Sequence, residues 1–258
     1  MRLRPATAAL ALLLASAGIA AADLSVEQVR AALAAATAGA PADFSSKDLS
    51  DLDLSGLDFR HARLAGTSLF GSKLVRSDFR GAVLQGANLN GAWLMGTDFS
   101  GADLTRASLL SVVVLGGEVK AMPVFKGARL AGVRMIADLP GADLSGADFS
   151  GARVGVDIKN QGMGQMRTDL SGANLSGAVL DGADFNRTLM NYCNLRGSKL
   201  RGTNFFRARL AGADLGGADV SGADFTEADV GGAVFRGVIG ESTVRGMERA
   251  ENVDKIVR

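Results

Sequence analysis

Cysteine, histidine, tryptophan and tyrosine each occur once in the 258-residue chain, and proline occurs four times. With Cys193 alone no intramolecular disulfide can form, so packing and backbone hydrogen bonds must supply the stability. With His61 alone, a Ser-His-Asp nucleophile or a multi-histidine metal centre is short of parts, and no catalytic, cofactor or metal residues are assigned. Charge of one sign is lacking too: 28 Lys and Arg face 27 Asp and Glu, a formal net charge of +1. A near-neutral chain has no general electrostatic attraction for nucleic acid or anionic lipid, and neither is expected as a partner.

Long apolar runs are confined to the first 22 residues, MRLRPATAALALLLASAGIAAA. Arg2 and Arg4, an Ala/Leu-rich stretch and a small-residue end read as a secretory signal peptide over 1–22, cut after Ala22 or, alternatively, Ala17. Asp23 and polar sequence follow at once, so the run falls short of the ~20 apolar residues that a bilayer span needs. No cysteine stands at the cut to carry a lipid. The expected product is a soluble, secreted or periplasmic chain that has lost Arg2 and Arg4, which takes its net charge from +1 to −1.

What the sequence has in abundance is a five-residue period, as in GADLSGADFSGARVG at 141–155. Bulky centres recur from Leu49 through Phe59, Phe79 and Phe99 to Val119 and Val124, and again from Leu139 to Val154. A third run, one residue out of phase, goes from Leu170 through Phe185, Phe205 and Phe225 to Phe235. A small residue stands two before most centres, as at Ala82, Ala102 and Ala183. Residues two apart on an extended segment share a side, so each small-bulky pair points inward if the chain turns a corner before the next pair. Gly and Ser permit those corners. Four such sides close a square, and stacked squares pair their backbones at roughly 4.8 Å. Phe59, Phe79 and Phe99 are spaced by 20 residues, as are Phe185, Phe205 and Phe225, so a four-sided coil puts each trio in one column.

The tandem A-[D/N]-[L/F]-x-x pattern over roughly 44–236 resembles the pentapeptide-repeat family. The resemblance implies an all-β solenoid, a right-handed quadrilateral parallel β-helix, on a fold that hosts diverse functions. It also implies one activity known in the family, mimicry of DNA in regulating type II topoisomerases. That activity calls for a continuous acidic surface and a cytoplasmic address.

The ends read as caps. Ser25 and Gln28 have capping-box spacing, and Val26, Val29 and Leu33 form a stripe that ends before Gly39 and Pro41, which predicts a helix over 25–37 within a cap and linker at 23–43. In 237–258, Val244, Met247, Ala250, Val253 and Val257 fall near one helical face, so a second helix is expected to cap the last coil or mediate dimerisation. The register breaks twice. Over 120–138 the in-frame centres would be Arg129 and Arg134, so Leu130 and Met135 turn inward instead, and Pro123 marks an interrupted pairing. Over 155–168 the pattern vanishes and a loop is expected; loops on rigid scaffolds often carry function.

Individual residues are mostly absorbed by the scaffold. Cys193 occupies an inward slot as a buried, inert thiol. Asp58, Asp78, Asp98 and Glu118 form one column beside Arg60, Arg80 and Lys120, and Arg209 and Lys199 precede Asp229 and Asp219 by one coil, so the outer charge largely neutralises itself. Met163 and Met166 have a spacing compatible with a soft metal, but thioethers also fill gaps. One Trp and one Tyr are too few for the stacking platforms of a polysaccharide-active enzyme.

The sequence therefore reads as a non-enzymatic exported scaffold or protein-interaction module with an unidentified protein partner. Candidate contact residues are Lys159, Asn160, Gln161, Gln165 and Arg167 in the loop, the outward Trp93, and the basic set Arg187, Arg196, Lys199, Arg201, Arg207 and Arg209. Protein recovered from a Gram-negative periplasm should begin at Asp23 and lack the mass of residues 1–22. Protein that keeps Met1 and stays in the cytoplasm would contradict the leader.

Overall fold

A computed structural model describes residues 22–37, 39–114, 121–156 and 167–258. The leader, Val119, Glu118, Lys120, Met163 and Met166 lie outside the described residues.

The corner is the unit from which the coil is built. In Leu64–Ala65–Gly66–Thr67 the Thr67 N–H donates to the Leu64 carbonyl at 3.1 Å, and Gly66 has φ +67. A positive φ at the third turn position is the type II pattern, for which glycine carries the least steric cost. Where an Asp or Asn precedes the centre, its side chain folds the same corner: the Ser50 N–H donates to Asp48 Oδ1 at 2.9 Å and the Ser171 N–H to Asp169 Oδ1 at 2.7 Å. The carboxylates that looked like a chemical array are thus largely turn-forming acceptors.

Between corners each side is one parallel bridge wide. Leu54 donates to the Lys73 carbonyl at 2.8 Å and Lys73 donates to that of Leu52 at 2.9 Å, and this exchange repeats up the tube. Four columns of bridges result. The first wall starts Asp43, Arg63, Val83; the second Asp48, Ser68, Asn88; the third Asp53, Lys73, Trp93; the fourth Asp58, Asp78, Asp98. Only two segments extend into longer strands, β1 (Ser108–Leu110) and β2 (Arg134–Ile136), paired in parallel on the second wall.

Inside, the bulky centres and their small partners are almost wholly buried. Small slots that hold a hydroxyl satisfy it on the carbonyl of a centre, one coil earlier for Thr67 on Phe44, Ser72 on Leu49, Ser77 on Leu54 and Thr203 on Leu180, at 2.7–2.8 Å, and in the same turn for Thr188 on Phe185 and Ser198 on Leu195. Cys193 fills the same slot, its Sγ 2.9 Å from the Leu170 carbonyl.

Phe59, Phe79 and Phe99 stack along the fourth wall with centroids 4.5 and 5.1 Å apart, and Phe125 extends the ladder by another 5.1 Å. Phe185, Phe205 and Phe225 form a second ladder on the second wall, spaced 6.1 and 5.3 Å. The aromatic column therefore changes to the opposite wall between the two halves.

The interruptions leave the walls intact. Asp98 pairs with Val124, 26 residues on instead of 20, so Val124 faces outward and Phe125, not Val124, is the inward centre. Pairing also continues directly after Pro123, since Val124 donates to the Thr97 carbonyl at 2.9 Å; proline occupies a small inward slot and forgoes only the turn bond. Leu130, Met135 and Leu139 are all buried, and the side between the last two is one residue short. At the second break Arg153 pairs with Asp184 and Asp138 with Asp169, so Val154 and Leu170 are centres of consecutive walls; residues 157–166 of the expected loop lie outside the described residues.

At the N-terminus, α1 (Val26–Ala35) has Ser25 as N-cap with a complete capping box to Gln28, and Val29 is fully buried against the first coil. Asp23 supplies a substitute rung, donating to the Asp48 carbonyl at 2.7 Å and accepting from the Asp48 N–H at 2.9 Å. At the C-terminus there is no second α-helix. Residues 237–258 complete another coil, in which Ile239, Arg245, Glu251 and Val257 pair with Asp219, Asp224, Asp229 and Val234. Its sides are six residues long because short 3-10 turns, Glu241–Thr243, Met247–Arg249 and Val253–Lys255, replace the tighter corners. Val244, Met247, Ala250 and Val253 pack on the core as a three-residue repeat; Ile256 joins them, while Val257 serves as a rung.

Phe79→Ala or Phe205→Ala should lower stability by about 3–5 kcal/mol, because stacked coils cannot close on the missing ring. Asp224→Asn should change it little, since Asn204 already occupies the preceding rung. An unaltered denaturation midpoint for Phe205→Ala would contradict the wall assignment.

Candidate functional site

An interior filled by side chains leaves function to the outer walls, and the candidate residues fall on several of them. Trp93 is on the third wall, 38 % exposed, with the Lys73 ammonium 5.9 Å from its ring centroid and Lys73 in turn 3.9 Å from Asp53. Arg209 shares that wall five coils away, roughly 24 Å at the rung spacing. Arg187 and Arg207 stand one above the other at the corner between the second and third walls. Lys159, Asn160, Gln161 and Gln165 lie outside the described residues; Arg167 lies at that same corner, two residues before the rung at Asp169.

The basic set is not one patch. Arg196 pairs with Asp214 at 3.1 Å, Arg201 with Asp219 at 2.6 Å, and Lys199 is the rung neighbour of Asp219, all away from the third wall. What the fold does bring together is Arg167, Arg207 and Arg209, which line an open groove of about 420 Å³ with Glu227, Asp229 and Glu251. Glu227 accepts from Arg207 at 2.6 Å and Arg249 at 2.8 Å, which holds its carboxyl below the ordinary range. Cations therefore occupy the side of the groove on the earlier coils and carboxylates the side nearer the C-terminal coil.

Two aromatic rings that sequence reasoning missed flank this strip. Phe206 lies between Arg187 and Arg207, whose guanidinium carbons sit 5.9 and 4.9 Å from its centroid. Tyr192, 76 % exposed, lies over Gly212, where an added Cβ would come within 2.5 Å of the ring. The doublet Phe205–Phe206 was the available signal, because a second bulky residue directly after a centre must face out.

Chemistry of other kinds finds little support. Burial pushes the Cys193 thiol up to about 12, far from a nucleophile's range. His61 sits at a corner with φ +60, at the rim of a small cleft beneath α1. Among the described residues no group of three or more His, Cys, Asp or Glu is placed to hold a metal, and no helix is long and apolar enough to cross a membrane. Asp138 and Asp169 are rung neighbours on the third wall; burial and the Asp169 charge raise the Asp138 carboxyl.

The outer carboxylates do contribute pH dependence. Asp219 accepts from the Ser221 hydroxyl at 2.6 Å and from Arg201, and these bonds push its carboxyl down to about 2. A carboxyl depressed on folding stabilises above its unfolded value of about 4, and that contribution is lost as pH falls towards 2. Asp219→Asn should therefore melt below the unsubstituted chain at neutral pH, with the gap in Tm closing between about pH 4 and pH 2. A gap that stays constant with pH would remove the assigned ionic role.

The chain is similar to several solved pentapeptide repeat proteins and to one family of sequences. HetL, a pentapeptide repeat protein involved in heterocyst differentiation regulation in the cyanobacterium Nostoc sp. strain PCC 7120, is 28 % identical, with 91 % of this chain and 100 % of HetL covered, at a TM-score of 0.36. Full-length QnrB1, a plasmid-mediated fluoroquinolone resistance protein, is 23 % identical over 77 % of this chain and 92 % of its own, at 0.31. Rfr23 of the cyanobacterium Cyanothece 51142 is 20 % identical over 47 % and 88 %, at 0.27. No curated protein matches the sequence. The family described as pentapeptide repeats matches in 8 copies, over 48–86, 62–101, 82–111, 124–154, 168–205 and 203–239. Matched over most of its length and closed by four columns of parallel rungs, the chain belongs to the pentapeptide-repeat family, wound as a right-handed quadrilateral β-helix.

Proposed function

We propose that this chain is a non-enzymatic, exported interaction module that presents a partner-binding strip on its third wall. The observation that carries the reading is the convergence of Arg167, Arg207 and Arg209 in one groove, edged by the outward rings of Phe206 and Tyr192. Arginine and tyrosine are residue types that dominate protein interfaces, and a rigid β-scaffold holds them at little entropic cost. Export rests on the leader alone. Self-association would use the C-terminal coil, where no protein hydrogen bond reaches the outward carbonyls of Val238, Val244, Ala250 and Ile256 among the described residues.

The alternative reading, a DNA-mimicking regulator of a type II topoisomerase, calls for an unbroken acidic face. On the fourth wall Arg60 instead bridges Asp58 at 2.6 Å and reaches Asp78 at 3.6 Å, while Arg80 bridges Asp78 and reaches Asp98 at 3.8 Å. That zipper breaks up the negative potential.

The test is capture of partners by the mature chain against two variants, Tyr192→Ser/Arg209→Ser and replacement of 156–167 by a short Gly/Ser linker. Both variants should stay folded, and loss of a central contact should weaken the retained partner by about 2 kcal/mol, roughly thirtyfold in Kd. Undiminished capture by the Tyr192→Ser/Arg209→Ser chain would overturn the assigned strip.

A further inference from the structure

Three arginines meet on the second wall with no carboxylate bridging them. Arg134 and Arg153 are direct rung neighbours and both are exposed. Arg106 stands one coil earlier at the corner between the first and second walls, with φ +59. Its Cγ lies 3.4 Å from where a Cβ on Gly132 would sit, so its stem lies over Gly132, two residues before Arg134 in the next coil. Among the described residues none of the three forms an ion pair, whereas Arg129 beside them reaches Asp103 at 3.3 Å. Asp184, the next rung after Arg153, is already engaged: its Oδ1 accepts from the Asn186 backbone and side chain at 3.1 and 2.9 Å and from Asn204 at 2.9 Å.

This arrangement costs stability and returns none to the fold. Like charges on facing rungs repel. A side chain at φ +59 is strained, and the same corner holds glycine in the coils on either side, at Gly86 and Gly132.

We infer that Arg106, Arg134 and Arg153 form a docking site for an acidic segment of a protein partner. The inference deepens the interaction-module reading and rests on it. Guanidinium groups pair with carboxylates in a bidentate fork, and a flat exposed wall accommodates a chain laid across rungs better than a small anion, which needs a concavity. The near-neutral net charge gives nucleic acid no comparable attraction.

The experiment titrates a short fluorescein-labelled peptide of alternating Glu and Ser into the mature chain and follows anisotropy. Arg134→Gln/Arg153→Gln should bind at least about tenfold more weakly at ~0.1 M salt, and Arg63→Gln on the first wall should bind unchanged. The melting temperature of the double variant should stay level or rise, because a repulsion is removed. Arg153→Glu provides a second reading and should abolish binding. No binding by the unsubstituted chain, equal weakening in Arg63→Gln, or displacement of the peptide by duplex DNA or inorganic phosphate as effectively as by unlabelled peptide would overturn the acidic-segment site. A null peptide result with partner capture intact refutes this site alone; loss of both refutes the module.

Discussion

Everything in this solenoid depends on a corner that closes within one five-residue unit. The turn needs a residue with positive φ and a bond from the fourth residue back to the centre, and at many corners an Asp or Asn oxygen also holds the next N–H. Once it closes, the inward pair, the single rung and the outward residue are placed together. A side only one bridge wide is weak by itself, and it is stacking on the coils before and after that makes it stable. The chain therefore needs neither disulfide nor metal, and its lone cysteine can serve as a stand-in for a buried hydroxyl, bonded to Leu170.

Because the walls require only that rungs stay aligned, residues can be added or removed at corners at low cost. The spacing of facing rungs goes from 20 to 26 at Asp98–Val124, to 19 at Val124–Asp143 and to 31 at Asp138–Asp169, with the four columns preserved throughout. The core therefore repeats across these changes of spacing. Breaks of this kind are where a repeating scaffold acquires a unique surface.

Much of this was legible in the residues. The 20-residue spacing of phenylalanines gave the wall number and both ladders, the Ser25–Gln28 spacing gave the cap of α1, and the inward slot gave the burial of Cys193. What escaped depended on register after a break. Val124 and Phe125 are both bulky, and only the rung to Asp98 decides which one faces in. The C-terminal coil was mistaken for a helix because a six-residue side places apolar residues every three positions, close to the helical 3.6, and the two periods separate poorly over so short a stretch. Arg134 and Arg153 escaped for a related reason. They stand 19 apart, so the 20-residue rule separates two residues that the shortened side after Met135 brings onto facing rungs.

The distribution of charge completes the physical picture. In the first coils nearly every cation has a carboxylate on its own strand or the next rung, as in the Arg60 and Arg80 zipper, and exposed pairs of this kind contribute at most about 1 kcal/mol each. Their main effect is to flatten the surface potential. On the second wall that pairing lapses, with Arg134 facing Arg153, and at the corner beside it Arg187 rests on Phe206, while Arg196, Arg201 and Arg207 keep their carboxylates. A repeat that can place aspartate before every centre has no structural need for such gaps. The facing Arg134 and Arg153 are thus the part of the surface charge that the scaffold does not explain, in contrast to the groove on the third wall, where Arg207 is matched by Glu227 and Arg209 by its rung neighbour Asp229.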